Sequence, residues 1–289
     1  MSNRGPGPIV GLVEAEMGAE IRSLARLGGG DVAESFRLEL SDGRAVFAKT
    51  HRSPPPDFFL TEAAGLEWLR GTGAVPVPEV LAAAADALVL EWIDEGTPHD
   101  STEENLGRDL AALHRAEWRV FGRPDRRSTG SRGLPNEPTD NWAEFYARNR
   151  LLPLARLASD GRALPPAAIV ELEALALGLS DLGLPAEPPS LLHGDLWAGN
   201  RLVDARGRSW LIDPAVHGGN REFDLSMMLL FGGFGSACFR AYEETFPLIE
   251  GFEDRVPLHQ LAPLAVHAIK FGGGYGPATV RALTACRNL

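Results

Sequence analysis

Three polar residues in the last third of the chain have the types and the spacing that could support phosphoryl transfer. Asp195 precedes Asn200 by five positions, and Asn200 precedes Asp213 by thirteen, within LLHGDLWAGNRLV and WLIDPAV. The apolar residues on both sides indicate short β-strands that hold polar groups at a turn. Phosphoryl transfer from ATP requires a carboxylate that orients a hydroxyl and accepts its proton, and oxygen ligands for magnesium. The three side chains together could supply these groups.

Each of these residues taken singly would be an ordinary turn or strand-capping residue. The same D-x-x-x-x-N element followed by a metal-binding Asp occurs in protein kinases, and the spacing, the flanking strands and His193 together favour that interpretation. We expect His193 to orient the loop, because a single imidazole among apolar residues usually has a structural role. Asp224, eleven residues after Asp213, is expected to brace the loop.

A nucleotide clamp should come from the first half of the chain. Lys49 ends the second strand of a predicted hairpin, where an ammonium group can contact ATP phosphates. Glu62, on the next predicted helix, could hold that ammonium in an ion pair. Taken alone, both residues would be ordinary exposed charges, and exposed pairs contribute little. Their position before the catalytic loop favours the functional interpretation.

A run of glycines could let backbone amides approach a phosphate. The run consists of Gly28, Gly29 and Gly30. The surrounding sequence GGGDVAES is neither a Walker motif nor G-x-G-x-x-G, so the run alone is a weak signal. We still include these three glycines among the expected ATP-binding residues.

The segment ALVLEWID predicts a strand that runs into the hinge between two lobes. Backbone groups of Glu91 and Ile93 could bond adenine there, with Trp92 between them. Side-chain identity carries little information at such a position, because the backbone makes the contact. The expected adenine site therefore comprises Glu91, Trp92 and Ile93.

The first part of the chain alternates between helical and strand patterns. Apolar residues recur at helical intervals from Ile9 to Leu27, which predicts a leading helix. The segments FRLEL and AVFAK, joined by a turn at Asp42 and Gly43, predict a β-hairpin. Asp57 follows a proline run and could cap a helix that ends before TGAVPVP.

Two apolar stretches follow, EVLAAAA and ALVLEWI, and their flanking breakers favour strands. TEENLGRDLAALHR then predicts a helix, and most of the later sequence is helical in pattern. The change in composition near Asp94 predicts an N-terminal nucleotide-clamping lobe over 1–94 and a catalytic and substrate lobe over 95–289. Residues 121–141 are dense in Gly, Pro, Arg and Ser and are expected to form an irregular surface loop.

Composition excludes several classes of function. The chain has 289 residues, 44% of them hydrophobic, enough for one large core or two unequal ones. Its net charge of -11 would repel a nucleic-acid backbone. The sequence MSNRGPGPIV lacks the apolar core of a signal peptide, and no run approaches the roughly 18 apolar residues of a membrane span. We expect a cytoplasmic protein, without nucleic-acid or membrane partners, whose Cys238 and Cys286 are buried or free thiols.

Several longer motifs resemble those of fructosamine (ketosamine) kinases. They are HGDLWAGN, IDPAVHGGNREFDLSM, LFGGF, NEPTDNWAEFYARNRLLP and a tail containing FGGGYG and RNL. The resemblance spans nearly the whole chain. It implies an α+β, two-lobed protein-kinase-like fold with a small β-rich N-lobe and a larger, mainly helical C-lobe. It also implies a kinase that uses ATP and Mg²⁺ to phosphorylate the sugar 3-hydroxyl of ketosamines, on small molecules or proteins, in deglycation repair.

The resemblance also implies residue roles. Asp195 becomes the catalytic base, Asn200 and Asp213 the magnesium ligands, and Lys49 the phosphate contact. Trp197 lies two positions past the base, where an indole could stack under the C–H face of a sugar. Plain core packing is an equal alternative for this Trp.

Two departures bear on regulation and substrate range. Asn220 stands in HGGNRE where many relatives have histidine, and Gly194 replaces the arginine of protein-kinase catalytic loops. The short chain after Asp213 leaves no place for a phosphorylation-controlled activation segment. Two other functions stay open: another small-molecule kinase, for aminoglycosides or amino alcohols, and a non-catalytic nucleotide-binding protein. The LW after Asp195 and the FGGF segment favour the ketosamine group, and the intact polar residues disfavour the non-catalytic class.

Overall fold

The computed structural model describes residues 6–28 and 33–289. Its first part contains a five-stranded antiparallel sheet with strand order β1-β2-β3-β5-β4. The strands are β1 (Ile21–Arg26), β2 (Glu34–Leu40), β3 (Ala45–Thr50), β4 (Val80–Ala83) and β5 (Ala87–Glu91).

The hairpin of β2 and β3 forms as predicted. Phe36 lies opposite Ala48 and Leu38 opposite Val46, and these four side chains are buried. Gly43 has a φ of 88° in the connecting turn, a conformation that favours glycine. Helix α1 (Gly7–Met17) packs on this face of the sheet and completes a small core.

The predicted leading helix is wrong in its second half. Helix α1 ends at Met17, and Gly18 follows in the left-handed conformation that commonly ends helices. Ile21 and Leu24 belong to strand β1 instead. A bulge between Ile21 and Ser23 shifts the register of this strand. As a result Ile21 and Leu24, three residues apart, are half-buried, and the other residues of the strand are exposed. The bulge therefore imitates a helical spacing in the sequence.

Helix α2 (Phe58–Thr72) forms where the sequence predicts it and ends at Gly73, which has a φ of 64°. The predicted cap is wrong, because Asp57 lies before the helix with a φ of 56° and makes no capping hydrogen bond through its side chain. The predicted strands β4 and β5 are confirmed. Phe59 and Leu66 of α2 belong to a core shared with later helices.

The rest of the chain is mainly helical. Two short antiparallel pairs interrupt the helices, β6 with β9 and β7 with β8. These strands are β6 (Ser190–Leu192), β7 (Arg201–Val203), β8 (Ser209–Leu211) and β9 (His217–Gly219). The helices are α3 (Thr102–Arg115), α4 (Trp142–Tyr146), a π-helical segment (Ala147–Leu151), α5 (Leu152–Asp160), α6 (Pro166–Gly178), α7 (Glu222–Phe231), α8 (Ser236–Thr245), α9 (Phe252–Phe271) and α10 (Tyr275–Cys286). Short 3-10 turns span Leu179–Leu182 and Ala198–Asn200.

A small β-rich part followed by a larger helical part is the predicted fold class. The chain passes from one to the other after β5, where the Gly96 amide donates to the Val203 carbonyl at 2.7 Å. Residues 121–141 are irregular, as predicted, but not confined to the surface, because Arg123 and Asn136 are fully buried. Across residues 6–28 and 33–289, no helix has the length and apolar character needed to cross a membrane.

Candidate active site

The loop between β6 and β7 carries Asp195 and is braced from helix α7. The backbone amides of His193 and Gly194 donate to the two carboxylate oxygens of Asp224, at 2.7 and 2.9 Å. His114 on α3 lies 3.3 Å from the same carboxylate. Burial raises the pKa of Asp224, but the His114 hydrogen bond, nearby histidines and backbone amides together keep that pKa below its ordinary value. The predicted bracing role of Asp224 agrees with these contacts.

His193 supports the loop from inside. Its Nδ1 lies 3.3 Å from the Asp195 amide, and its Nε2 lies 3.0 Å from the Ile212 carbonyl. A nitrogen that accepts from an amide and another that donates to a carbonyl define the neutral Nε2–H tautomer. Burial lowers the pKa of His193, which keeps the ring neutral despite the neighbouring carboxylates. The expected structural role of this histidine is consistent with that geometry.

Gly194 occupies a position that admits no side chain. Its φ is 79°, and a Cβ there would lie 2.3 Å from the Ala215 carbonyl oxygen. The amide of Ala215 in turn donates to the His193 carbonyl at 2.8 Å. The loop and the segment after Asp213 are therefore packed backbone to backbone, which explains why glycine replaces the arginine of protein kinases here.

Asn200 joins Asp195 to Asp213. Its Nδ2 donates to the Asp195 carbonyl at 2.8 Å and to Asp195 Oδ2 at 3.1 Å, and lies 3.5 Å from the Asp213 carbonyl. Asn200 is buried, whereas Asp195 is partly exposed. All these bonds use the amide nitrogen, so Oδ1 of Asn200 is the atom that can ligate a cation.

The pKa of Asp195 is raised to about 7. Desolvation by the surrounding protein is the main cause, and the negative charges of Asp213 and Asp224 add to it. The Asn200 hydrogen bond acts in the opposite direction. A carboxylate whose pKa lies near neutral is suited to accept a proton at neutral pH.

An ion-pair cluster brings together the side chains of Lys49, Glu62 and Asp213. Lys49 Nζ lies 2.6 Å from Glu62 Oε1 and 2.6 Å from Asp213 Oδ1. Lys49 and Glu62 are buried, but the Asp213 side chain is 46% exposed. Strand β3, helix α2 and the turn after β8 thus contribute one residue each. The predicted pairing of Lys49 with Glu62 is present, and Asp213 is an additional partner.

Charge in this cluster is unevenly balanced, since one ammonium faces two carboxylates. Burial lowers the pKa of Lys49, but Asp213 and Glu62 outweigh it and hold that pKa above its ordinary value. Burial and the charge of Asp213 raise the pKa of Glu62 to about 7, although Lys49 opposes the shift. Asp213 has a φ of 51°, a strained conformation for a non-glycine residue that is common at functional sites.

The residues present fit a magnesium ion. Asp213 uses Oδ1 toward Lys49, which leaves Oδ2 of this half-exposed carboxylate, together with Oδ1 of Asn200, as oxygens that could hold the ion. Mg²⁺ in phosphoryl-transfer sites takes one or two protein oxygens and completes its shell with water and substrate phosphates. Among the described residues no group of three His, Cys, Asp or Glu side chains could hold a metal.

The remaining ATP-site predictions concern backbone groups. Gly28 is exposed and has open space around it, whereas Gly29 and Gly30 lie outside the described residues. The Glu91 amide donates to Glu79 O at 2.9 Å, so this N–H is not available to adenine.

In the segment 91–93, the guanidinium carbon of Arg37 lies over the Trp92 indole, 5.0 Å from the centroid of that ring. Its Nε1 donates to Asp94 Oδ1 at 2.9 Å. Ile93 is buried. The adenine-binding role of Glu91, Trp92 and Ile93 stays a prediction.

Trp197 is exposed beside the loop. The residue is 42% accessible, and its ring covers Gly199 and meets Phe231 edge-on at 6.3 Å. Core packing therefore does not describe this residue. Asn220, in contrast, is buried, and its Oδ1 accepts from the Glu222 amide at the start of α7.

Sequence analysis missed an aromatic row that continues from Trp197. His267 lies 4.7 Å from Phe231, 5.5 Å from Phe271 and 5.0 Å from Tyr275, measured between ring centroids. The spacing of four residues from His267 to Phe271 is the signal that could have indicated one face of α9, whereas Tyr275 begins the next helix. Arg123, a buried residue of the 121–141 segment, was missed as well.

The β3 lysine paired with a helix glutamate, the Asp195–Asn200 loop and the following Asp213 together define the protein-kinase-like class of fold. Comparison with known proteins specifies the family. The model of the fructosamine kinase family matches residues 10–288. The chain belongs to that family.

Individual relatives agree. A crystal structure of a Thermobifida fusca protein assigned as a fructosamine-3-kinase has 36% identity and a TM-score of 0.89, over 100% of both chains. Mouse ketosamine-3-kinase is 30% identical, over 96% of this chain and 98% of its own. Choline kinase from Streptococcus pneumoniae, with 17% identity, a TM-score of 0.65 and 96% of each chain covered, shares the fold alone. The predicted family and the predicted fold class are confirmed.

Proposed function

We propose that this protein is an ATP- and Mg²⁺-dependent kinase that phosphorylates the sugar 3-hydroxyl of ketosamines, free or attached to proteins. The observation that carries the proposal is the joint presence of the Lys49–Glu62–Asp213 cluster and the Asp195–Asn200 loop in a member of the fructosamine kinase family. The relative from mouse is named for the same reaction. Residues 1–94 would serve as the nucleotide-clamping lobe and 95–289 as the catalytic lobe.

In this reaction Asp195 accepts the proton of the acceptor hydroxyl. The hydroxyl oxygen forms a bond to the γ-phosphorus while the bond to the bridging oxygen of ADP breaks, so that ADP leaves and the proton stays on Asp195. The raised pKa of Asp195, about 7, lets the carboxylate take up and release this proton near neutral pH. The Asn200 amide fixes the carboxylate through Oδ2 and leaves the other oxygen for the substrate.

Lys49 and the metal ligands serve the phosphate groups. The Lys49 ammonium is held between two carboxylates at 2.6 Å and can contact ATP phosphates from a fixed position. When bound, Mg²⁺ would neutralise phosphate charge, held by Asn200 and Asp213. Gly28, Gly29 and Gly30 and the hinge segment 91–93 would enclose the nucleotide.

Trp197 would form the sugar platform. An exposed indole next to the proposed base can stack on the C–H face of a sugar and place its hydroxyl near Asp195. The exposed ring, rather than its sequence position alone, now supports this role.

The direct test is a substrate panel. Phosphate transfer from ATP should be measured to fructosamines, ribulosamines, erythrulosamines and aminoglycosides, with Asp195→Asn as the inactive control. We expect transfer to at least one ketosamine class and none to aminoglycosides. Transfer only to aminoglycosides or amino alcohols would support the alternative small-molecule kinase, and binding of ATP without transfer to any acceptor would support the non-catalytic alternative.

A further inference from the structure

Arg123 is a fully buried arginine for which the chemistry above has no use. Its Nε and Nη2 donate to Oδ1 and Oδ2 of Asp125 at 2.9 and 2.8 Å. Burial raises the pKa of Asp125, but hydrogen bonds from Arg123 and the Arg127 amide outweigh it and hold that pKa below its ordinary value. A buried guanidinium is tolerated only when it is paired and its donors are bonded. The paired carboxylate meets part of that requirement, and the remaining donors reach two other elements.

The first of these elements is helix α2, which carries Glu62. Nη2 of Arg123 lies 3.4 Å from the carbonyl oxygen of Thr61, the residue before Glu62. The guanidinium also lies over the ring of Trp68, 4.2 Å from its centroid, in a cation–π contact. Thr61 and Trp68 are seven residues apart and so lie on one face of the helix, two turns from each other. Arg123 therefore contacts α2 along two turns.

The second element is the segment that follows Asp213. Nη1 of Arg123 donates to the Val216 carbonyl at 2.8 Å. The neighbouring Gly122 exchanges two backbone hydrogen bonds with Gly218, at 2.9 and 2.8 Å. Helix α2 itself touches this segment, because a Cβ on Gly65 would lie 2.9 Å from Val216 Cγ2. The helix and the segment are thus in direct contact, with Arg123 bonded to both.

We infer that Arg123 is a positioning residue that clamps helix α2 to the segment after Asp213, and so keeps Glu62 and Asp213 at ion-pair distance from Lys49. Arg123 acts from behind α2 through the Thr61 carbonyl and the Trp68 ring. The inference rests on the proposed function, since it assigns the clamp to the ATP site of that kinase. It also gives the irregular segment 121–141 a role, because that segment delivers Arg123.

The test compares Arg123→Lys and Arg123→Gln with the same changes at Arg150. Arg150 is also buried and lies over the Phe145 ring, but its bonds go to Pro135, Asn136 and Asn149, so it supports the 121–141 segment without bonding to α2. We expect the Arg123 variants to lower kcat/KM for ATP by about 10- to 100-fold, the scale of an ångström-level misplacement. KM for the ketosamine should stay within about twofold of the wild-type value, because the loop that carries Asp195 does not contact Arg123. The Arg150 variants should lower the melting temperature without this ATP-specific loss.

A double-mutant cycle with Glu62→Gln identifies the route of the effect. If Arg123 acts through Glu62, the Arg123→Lys change should cost much less in the Glu62→Gln background than in the wild type. Fully additive losses would overturn the inference, as would equal losses toward ATP and ketosamine in the Arg123 and Arg150 variants. Gly65→Ala provides a second variant should the Arg123 variants not fold, because it pushes α2 away from Val216, and it should give the same ATP-specific loss.

A nucleotide-free measurement separates this inference from the proposed function. Labelling of Lys49 by an amine-reactive reagent, quantified by mass spectrometry, reports whether the ammonium is held in its ion pairs. We expect faster labelling in Arg123→Lys and Gly65→Ala than in the wild type and Arg150→Lys. Unchanged labelling overturns the clamp even if the wild type is an active kinase. If the variants differ in labelling as expected but the wild type transfers no phosphate, the clamp stands and the proposed function is overturned.

Discussion

Replacement of Trp197 by alanine separates a sugar-directed kinase from a general one. The indole is 42% exposed, covers Gly199 and meets Phe231 only at an edge. Its removal should therefore change the acceptor site without opening a core cavity. Because Asp195 and Lys49 do not depend on this ring, KM for ATP should hardly change.

The loss of activity is expected from the lost stacking, and the loss of stability from the exposure of the ring. Loss of stacking on a flat partner costs about 1–3 kcal/mol by analogy with nucleobase platforms, which corresponds to roughly 5- to 150-fold in kcat/KM for a ketosamine. A Trp→Ala change in a packed core costs about 3–5 kcal/mol of stability. A half-exposed ring should cost about 1–2 kcal/mol of stability, which lowers the melting temperature by roughly 2–3 °C in a chain of this size.

The assay combines steady-state kinetics on both substrates with a thermal melt. Trp197→Phe is the matched control, since it keeps an aromatic face and should retain most of the ketosamine activity. A variant that melts much lower and loses ATP and ketosamine kinetics together would show that Trp197 is a structural residue and refute the platform.

Four further results are expected. Asp195→Asn should lower kcat by roughly 10²- to 10⁴-fold while calorimetry still detects ATP binding; unchanged turnover would remove Asp195 from the role of base. In the wild type, kcat/KM for the ketosamine should fall as the pH drops through about 7, because the carboxylate of Asp195 becomes protonated, and a profile flat from pH 5 to 8 would contradict this. Asp213→Ala should abolish the response to added magnesium in a titration, which an unaltered curve would disprove. Treatment with a protein phosphatase should leave the kinase activity unchanged. Activity that appears only after phosphorylation by another kinase would contradict the absence of a phosphorylation-controlled activation segment.

Local chemistry made part of this structure predictable from the sequence. The β2–β3 hairpin follows from alternating apolar residues around a turn at Gly43, and the order of Lys49, Glu62 and Asp195 fits a known arrangement. Residue types and spacing are sufficient where each contact involves a near neighbour or a recurring motif.

Other features depend on contacts that the sequence does not display. The bulge in β1 gives a strand the spacing of a helix, and it is fixed by pairing with β2. The second partner of Lys49, Asp213, is 164 positions away along the chain. Arg123 lies in a segment rich in Gly, Pro, Arg and Ser, a composition typical of the surface, yet it is fully buried. Its bonds to Asp125, to helix α2 and to the segment after Asp213 account for that burial.

The same packing is the reason why we expect the site to need no activating modification. Protein kinases control the Lys–Glu pair by moving the helix that carries the glutamate and by ordering a phosphorylated activation loop. Here the segment between Asp213 and helix α7 is short, and its residues are held by the pairing of β9 with β6, by the Ala215–His193 hydrogen bond and by Arg123. Because that segment also supports α2, a displacement of the helix would break buried contacts on both sides. The Lys49–Glu62 pair is therefore held by the packing of α2 against the segment after Asp213.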